Sequence, residues 1–375
     1  MRVKFVSMSL LAAAVASGVV AQVPKPTKEP VSLSPAQRAK YQDALALKAA
    51  GRYVDAAKAL EEVVSENPDS PQALAEEARC WNEAKEYEKA LDPALRGMEY
   101  SSQWLGTFYV LAAESYYLTG RAAQALPFFQ AATAREPDNW ATYYKLGVTY
   151  AGLKRIEEAR EALKAAVALA PDRADAHYAL GVLWSAQGYK VPALLALSRF
   201  LVLEPETERA KGALKAVSDY LDEMGGTFGA AGPLRSAPDN AEGDFTAAIG
   251  AVATAWKAAQ EDQGADNWSR VTRSVATLFA RLSQPDSAWT GSFTASFYAP
   301  YFSAIAAQKL TDPFCAHIFR VANNDLVKAY IETHSAEIYE FLKWSDGYRW
   351  PRPDTLVKPP AKPAVPARGK AKGKR

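Results

Sequence analysis

Few side chains in this 375-residue chain are suited to chemistry. Nucleophilic or acid–base candidates are limited to His177, His317, His334, Cys80 and Cys315. Cys315 and His317 are two residues apart on a predicted helix, so their side chains diverge and cannot form a nucleophile–base pair by themselves. His334 precedes a predicted helix start, where a capping role is the simpler interpretation. His177 falls at a predicted core position, which favours a packed imidazole over a ligand.

Signatures of metal, phosphate or acyl chemistry are absent from the sequence. Paired carboxylates occur at Glu61-Glu62, Glu76-Glu77 and Glu157-Glu158, at positions where solvated helix faces are expected. We therefore predict no enzyme, with no catalytic, cofactor-binding or metal-binding residues. Two cysteines cannot form a disulfide framework. Two buried free thiols are the favoured interpretation, and a single long-range bridge is the alternative.

The elements that position these residues follow an internal repeat. Turn signals recur at Gly51, Lys85, Gly120, Lys154 and Gly188, with spacings of 34, 35, 34 and 34 residues. An alanine follows each turn by five residues, and a small residue precedes each by seven. These small residues are Ala44, Ala78, Ala113, Gly147 and Gly181, and the alanines are Ala56, Ala90, Ala125, Ala159 and Ala193. Proline closes four of the five units, at Pro68, Pro137, Pro171 and Pro205.

This pattern has a direct physical meaning. Small residues on two successive helices let their backbones cross closely, whereas larger side chains would push them apart. Glycine after the first helix accepts the left-handed backbone that ends it, and proline stops the second helix. The spacing therefore predicts five helix pairs over residues 37–205.

The repeat resembles the tetratricopeptide repeat (TPR) family. The fourth unit matches it as Tyr143-x-x-Leu146-Gly147-x-x-Tyr150, followed by Ala159, Leu163, Ala166 and Pro171. The second unit departs most, with Glu77 where leucine is usual and Gly97 where alanine is usual. The resemblance implies a right-handed superhelix of paired helices whose concave face binds peptides or other proteins.

In that family the inner surface comes from fixed positions of each first helix. Carried onto this sequence, the candidate groove residues are Arg38, Tyr41, Arg79, Asn82, Glu114, Tyr117, Tyr144 and Tyr178. Tyrosine combines a rigid apolar ring with one hydrogen-bonding group, which suits peptide recognition, although these tyrosines could equally serve only to cover helix surfaces. Family members that clamp a C-terminal carboxylate use positions held here by Tyr41 and Leu45, so chaperone binding is not predicted.

No family resemblance extends beyond the repeats. Residues 206–224 are predicted to form a capping helix, residues 225–243 a linker, and residues 244–350 a smaller helical domain. Residues 289–350 contain 14 aromatic side chains at helical spacing. We interpret them as the core of this all-α domain, and a carbohydrate or peptide platform is the alternative.

Both ends of the chain differ from its body. Residues 1–21 have a short basic start, an apolar run and Val19-Val20-Ala21, which predicts a signal peptide cleaved before Gln22 and export to the periplasm or beyond. An uncleaved anchor helix is the alternative. Residues 22–36 are predicted to be an N-terminal linker. Residues 351–375 form a proline-, alanine- and lysine-rich tail with eight basic residues and one acidic, predicted to be disordered.

Net charge is +2, so the body between these basic ends is mildly acidic. That argues against nucleic-acid binding by the folded part, because phosphate affinity needs clustered Lys and Arg. We expect an exported scaffold that binds proteins or peptides in the cell envelope, with the tail contacting anionic envelope surfaces. The alternative is an enzyme or ligand-binding module in residues 244–350, with the repeats recruiting partners. No cofactor is expected.

Overall fold

The computed structural model describes residues 23–226 and 241–356, apart from residues 263, 265, 285 and 323. Secondary structure within these residues is helical, and their β-type pairing is a single bridge between Lys28 and Tyr100. The predicted all-α class is therefore confirmed. Among the described helices, none has both the length and the apolar character needed to cross a bilayer. The chain divides after Arg155 into two compact units.

Unit 1 contains seven helices within residues 23–155. They are α1 (Pro35–Ala49), α2 (Tyr53–Glu66), α3 (Pro71–Glu83), α4 (Tyr87–Gly97), α5 (Leu105–Leu118), α6 (Ala122–Arg135) and α7 (Trp140–Gly152). Local sequence explains where several begin: the side chains of Ser34, Ser70 and Asn139 each accept a backbone N–H and so cap α1, α3 and α7. Pro35 and Pro71 follow two of these caps, at the helical position where a missing N–H costs least.

Unit 2 holds the remaining helices. They are α8 (Ile156–Leu169), α9 (Ala174–Gln187), α10 (Lys190–Leu203), α11 (Glu208–Gly226), α12 (Thr246–Glu261), α13 (Asn267–Leu282), α14 (Ala299–Ala307), α15 (Thr311–Phe319), α16 (Asp325–Thr333) and α17 (Ser335–Asp346). A π-helical turn, Thr294–Tyr298, leads directly into α14, and short 3-10 turns cover Arg320–Ala322 and Pro353–Thr355. Helix α10 is enclosed throughout, since every residue from Val191 to Val202 is buried.

All five repeat turns have the same backbone. Their turn residues have φ between 59° and 82°, including the two lysines, Lys85 and Lys154. The residue after each turn donates its N–H back into the first helix, as Tyr189 does to the Trp184 carbonyl at 3.0 Å. The predicted left-handed helix ends are therefore present at lysine as well as at glycine.

The small residues predicted at the helix crossings are all buried. In the fifth pair, a Cβ atom added to Gly181 would lie 2.8 Å from the Leu197 side chain. Gly97, a departure from the family pattern, lies against Phe108, whose ring occupies the space that an alanine methyl would need. Glu77, the other departure, is a buried carboxyl.

A sixth turn of the same kind lies in the aromatic region. Lys309 has φ 58°, and Leu310 donates its N–H to the Ile305 carbonyl at 2.9 Å, as at the repeat turns. The crossing positions seven before and five after this turn hold Phe302 and Phe314, with ring centroids 6.0 Å apart. Sequence reasoning missed this pair because bulky rings replace the small residues that mark the others.

The end of α11 lies beyond the predicted capping helix. Helix α11 runs through Gly225 and Gly226, the start of the predicted linker, and Gly225 lies against the Trp256 indole. The helices of residues 244–350 belong to the same compact unit as α8 to α11. The predicted signal peptide, residues 227–240 of the predicted linker and residues 357–375 of the tail lie outside the described residues.

Candidate functional site

The predicted groove residues of unit 1 lie on its first helices, α1, α3, α5 and α7. Polar contacts join each of these helices to the next, and we call the surface that they form the first-helix face. The bonds begin between α1 and α3, where Lys48 Nζ lies 2.6 Å from Glu76 Oε2. Arg79 Nη1 lies 3.2 Å from the other oxygen of the same carboxylate. Glu76 is buried, so its charge is compensated by the two cations at the surface above it.

Further along this face, two more bonds connect the first helices. Asn82 Nδ2 donates to Ser115 Oγ at 3.3 Å and so links α3 to α5. Glu114 of α5 forms an ion pair with Lys145 of α7. Two of the predicted residues, Asn82 and Glu114, therefore take part in bonds that fix the spacing of neighbouring first helices, whereas Arg79 pairs with Glu76 within α3.

The aromatic members of the set have different environments. Tyr41 is only 4% exposed and hydrogen-bonds Gln72, and burial raises the pKa of its hydroxyl, so it serves packing rather than the exposed surface as predicted. Tyr117 is half-buried, and Leu118 beside it is 49% exposed. Tyr144 is also half-buried, and its ring lies 6.4 Å from that of Trp140.

Arg38 is exposed at the start of α1, where its guanidinium lies 3.4 Å from the Leu33 carbonyl. It belongs to the first-helix face but takes no part in the bonds between helices that are described above. Together, the half-exposed rings and the cations Arg38 and Arg79 make this face both apolar and charged. Such a surface can pack apolar groups and hydrogen-bond backbone or carboxylate groups of a bound chain.

Tyr178, the last predicted residue, lies in unit 2 on α9. Its ring centroid is 4.9 Å from that of Phe200, and the Arg209 guanidinium lies over it at 5.3 Å. Arg209 is held by Asp175 at 2.6 Å. Val182, one turn along α9, is 46% exposed. The outward side of α9 therefore repeats the combination of tyrosine, exposed aliphatic side chain and paired charges.

Aromatic residues of the C-terminal helices pack into the interior of unit 2. Phe297, Tyr298, Tyr301 and Phe302 are fully buried, and Trp350 stacks between Phe297 at 4.6 Å and Tyr301 at 4.8 Å. Arg199 of α10 donates to Ser345 Oγ at 2.9 Å and lies 3.3 Å from the Tyr301 hydroxyl. These rings act as a core that covers α10.

The candidate catalytic side chains of this region do not assemble into a site. Cys315 is fully buried, which raises the pKa of its thiol well above the usual range. His317 Nε2 bonds the Val202 carbonyl at 3.0 Å, and burial lowers the pKa of its ring to about 4. His334 stacks on Tyr330 with centroids 4.1 Å apart. Both cysteines are buried free thiols. Among the described residues, no cluster of His, Cys, Asp or Glu is arranged to hold a metal ion.

Sequence reasoning missed the partners that hold the first-helix face together. These are Lys48, Glu76, Ser115 and Lys145, and sequence reasoning likewise missed Arg209, which lies over Tyr178 in unit 2. A signal was available in the charges. Lys48 precedes Glu76 by 28 residues, and Glu114 precedes Lys145 by 31 residues. In both bonded pairs, residues of opposite charge lie a little less than one repeat apart in the sequence.

Comparison with known proteins agrees with the repeat. A family model described as tetratricopeptide repeat matches residues 47–92 and 116–183. None of the curated proteins matches this sequence. Similar solved structures include MamA residues 41 to the end from Desulfovibrio magneticus RS-1, at 19% identity and a TM-score of 0.43, covering 46% of this chain and 97% of that one.

Two further structures are similar over the same extent. YrrB, described as a TPR protein with an unusual peptide-binding site, is 18% identical with a TM-score of 0.42, covering 47% of this chain and 90% of that one. A thermophilic TPR protein from Thermus thermophilus, TTC0263, is 24% identical with a TM-score of 0.39, covering 48% of this chain and 99% of that one. The left-handed turns, the buried small residues at the crossings and the matched family model together show that this chain contains tetratricopeptide repeats.

Proposed function

We propose that this protein is a binding scaffold whose first-helix face holds peptides or segments of partner proteins. One observation carries the proposal: bonds between successive first helices fix the face, from Lys48–Glu76 through Asn82–Ser115 to Glu114–Lys145. A surface held in this way loses little conformational freedom when a partner binds. The half-exposed rings of Tyr117 and Tyr144 supply apolar contact area at low entropic cost.

The aromatic core of unit 2 supports a scaffold over the alternative of a catalytic C-terminal module. Its largest rings are buried against one another and against α10. Cys315, His317 and His334, the side chains that would supply chemistry, have separate environments: Cys315 is buried, His317 bonds the Val202 carbonyl, and His334 stacks on Tyr330. The C-terminal helices therefore extend the repeat structure and leave Tyr178 and Val182 of α9 partly exposed.

The proposed setting is the cell envelope. This rests on the sequence of residues 1–21, which has the basic, apolar and small-residue segments of a cleaved signal peptide. Export predicts a mature chain that begins at Gln22, which N-terminal sequencing of the protein isolated from its own cells would check. A start at Met1 in the mature protein would contradict export by cleavage.

The basic tail is proposed to contact anionic envelope surfaces. Residues 351–375 carry eight basic residues and one acidic, enough for salt-sensitive attraction to acidic lipid or wall polymers. Removing residues 351–375 is expected to abolish cosedimentation with anionic vesicles at low salt. Unchanged cosedimentation would remove the tail from the proposal.

The scaffold proposal is tested by affinity capture of the mature protein from its own envelope extract. Tyr117→Ala and Tyr144→Ala are expected to lose partners that the wild type retains, because each removes a ring from the first-helix face of unit 1. Tyr339→Ala is the matched control, since Tyr339 is 64% exposed on α17, which is not one of the first helices. Loss of no partner on changing both face tyrosines would contradict binding through this surface.

A further inference from the structure

Unit 1 contains a second contact surface that the repeat does not explain. Two loops at the same end of the helix pairs, residues 67–70 between α2 and α3 and residues 98–104 between α4 and α5, both bond the segment that precedes α1. We call residues 27–33 the N-terminal strap, and residues 67–70 together with 99–101 the loop edge. The strap runs extended across both loops before the chain enters α1.

Backbone pairing joins the strap to the second loop. The N–H groups of Thr27 and Lys28 both donate to the Glu99 carbonyl at 2.8 Å, and Ser101 donates its N–H to the Lys28 carbonyl at 3.0 Å. This is the parallel bridge between Lys28 and Tyr100. Because both partners contribute donors and acceptors, the loop edge binds the strap as a sheet edge binds an added strand.

Side chains add selectivity to this pairing. Lys28 Nζ lies 2.5 Å from Glu99 Oε2 and 5.5 Å from the centre of the Tyr100 ring. Tyr100 is itself buried, and its hydroxyl donates to Asp69 Oδ1 at 2.5 Å. The carboxylate and the ring thus form a fixed receptor for one ammonium group, combining an ion pair with a cation–π contact.

The first loop continues the same contact. Val31 donates its N–H to the Asp69 carbonyl at 2.8 Å, and Asn67 Nδ2 donates to the Ser32 carbonyl at 3.3 Å. The strap therefore pairs with the loop edge over residues 27–32, from Glu99 at one end to Asn67 at the other. Pro26 and Pro30 suit this role, because proline favours extended backbone and holds no N–H that would need a partner.

Few apolar contacts hold the strap in place. Residues 27–32 are exposed, Val31 to 50%, and within residues 27–33 only Leu33 is buried. Exposed ion pairs such as Lys28–Glu99 contribute little net stability. Residues 27–32 of the strap can therefore detach from the loop edge while Leu33 stays in the core.

We infer that the loop edge is a second peptide-binding site of this protein, built for an extended, proline-flanked segment with one lysine and occupied here by the chain's own residues 27–33. The cis segment continues directly into α1, so its effective concentration at the edge is on the order of millimolar. A competing segment from elsewhere gains access only when the strap is released.

The test uses the full-length chain with Thr27→Pro and Val31→Pro together. These changes remove N–H donors to the Glu99 and Asp69 carbonyls and are expected to release the strap. Release is read as faster tryptic cleavage after Lys28, with the helical circular dichroism unchanged. A fluorescent peptide of residues 24–34 is then titrated into the variant and into the wild type, followed by anisotropy.

The expected result is binding to the double variant at least ~10-fold tighter than to the wild type, where the strap competes. A peptide with Lys28→Glu should bind the double variant at least ~10-fold more weakly, because its carboxylate faces Glu99. Equal binding to both proteins, no binding to a variant whose strap is released, or unchanged tryptic protection would each overturn the inference. None of these outcomes involves Tyr117 or Tyr144, so failure here leaves the proposed function of the first-helix face standing.

Discussion

His177 and Tyr298 form a buried hydrogen bond that fastens the C-terminal helices to the fifth repeat. His177 Nδ1 lies 2.7 Å from the Tyr298 hydroxyl, and its Nε2 lies 3.0 Å from the Pro171 carbonyl. A carbonyl can only accept, so Nε2 carries the proton and Nδ1 accepts from the tyrosine. Burial, with the charge of Arg199 as a smaller cause, lowers the pKa of His177 to about 3. His177 is therefore a neutral, buried residue that contributes to the packing of unit 2.

Removing the hydroxyl of Tyr298 tests this bond. Tyr298→Phe keeps the ring and leaves His177 Nδ1 buried without a donor, which should lower the free energy of unfolding by about 1–3 kcal/mol. Urea denaturation of the variant and the wild type would measure the difference. Tyr339→Phe is the control, because Tyr339 is largely exposed on α17 and its hydroxyl is not needed by the core. Equal losses in both variants would contradict the assigned role of Tyr298.

His177 also predicts a loss of stability in acid. In the folded protein the pKa of His177 is about 3, below the ordinary value of 6.5. Between these two pH values the imidazole is protonated in the unfolded chain and neutral in the folded chain. The free energy of unfolding should therefore fall as pH drops from 6.5 towards 3, by up to about 1.4 kcal/mol per pH unit for this group. His177→Leu should reduce the dependence of stability on pH in this range. Part of the dependence should remain, because the pKa of His317 is also lowered, to about 4. An unchanged slope in His177→Leu would count against the buried neutral imidazole.

Glu77 should have the opposite effect on the pH dependence of the free energy of unfolding. Burial, together with the charge of Glu61, raises its pKa from 4.5 to about 7, and its Oε2 has no hydrogen-bond partner. Raising the pH from 4.5 to 7 should therefore ionise a carboxyl that the fold disfavours, at a cost of about 3 kcal/mol. Glu77→Gln removes the titration and should be more stable than the wild type at pH 8, with little difference at pH 4.5. Glu62→Gln, an exposed neighbour, controls for charge alone, and an equal gain from it would contradict the assignment to Glu77.

The turn lysines give a prediction about the backbone. Lys85 has φ 61°, a conformation that favours glycine, so Lys85→Gly should stabilise unit 1 by about 0.5–1 kcal/mol. Gly120 occupies the equivalent turn at φ 79°, with open space around an added Cβ, so Gly120→Ala should cost about 1 kcal/mol through backbone strain alone. Thermal unfolding would measure both, with Lys85→Ala as the control that keeps the strain. A Lys85→Gly variant no more stable than Lys85→Ala would contradict this account of the turns.

Close crossing of the helices predicts a coupled pair of substitutions. Gly181→Ala places a methyl 2.8 Å from Leu197 and should destabilise unit 2 by about 1–3 kcal/mol. Shortening the opposing side chain with Leu197→Val should make the same Gly181→Ala change less costly. Denaturation of the two single variants and the double variant would give the coupling. Strict additivity would show that the two positions do not share the crossing.

Sequence reasoning reached the parts of this fold that depend on local backbone and residue size. The helix pairs, their turns and the small residues at the crossings follow from positions such as Gly51 and Ala56, because these requirements repeat every 34 or 35 residues. Helix-to-helix bonds such as Glu114–Lys145 were missed, since the repeat specifies neither residue type. The helix end at Gly226 was missed because two glycines in a row predict a linker, whereas Gly225 lies in the helix against Trp256.

The aromatic region was also predicted only in part from the sequence. Periodicity predicted its helices and its role as a core. The turn at Lys309 was not predicted, because Phe302 and Phe314 occupy the crossing positions at which the other turns have small residues. Tyr41 was predicted at the surface from its repeat position, whereas its burial depends on the neighbouring α3. Packing between elements distant in sequence decided each of these points.

The central claim is that partners bind the first-helix face of unit 1. The most direct measurement is site-specific photo-cross-linking of the full-length protein in its own cells, with the reactive residue placed in turn at Tyr117, Tyr144, Lys58 and Glu62. The first two positions lie on α5 and α7, and the last two are exposed on α2, a second helix. We predict that Tyr117 and Tyr144 cross-link to the same partner and that Lys58 and Glu62 do not. Cross-linking of that partner at Lys58 and Glu62 instead, or at all four positions equally, would contradict the claim.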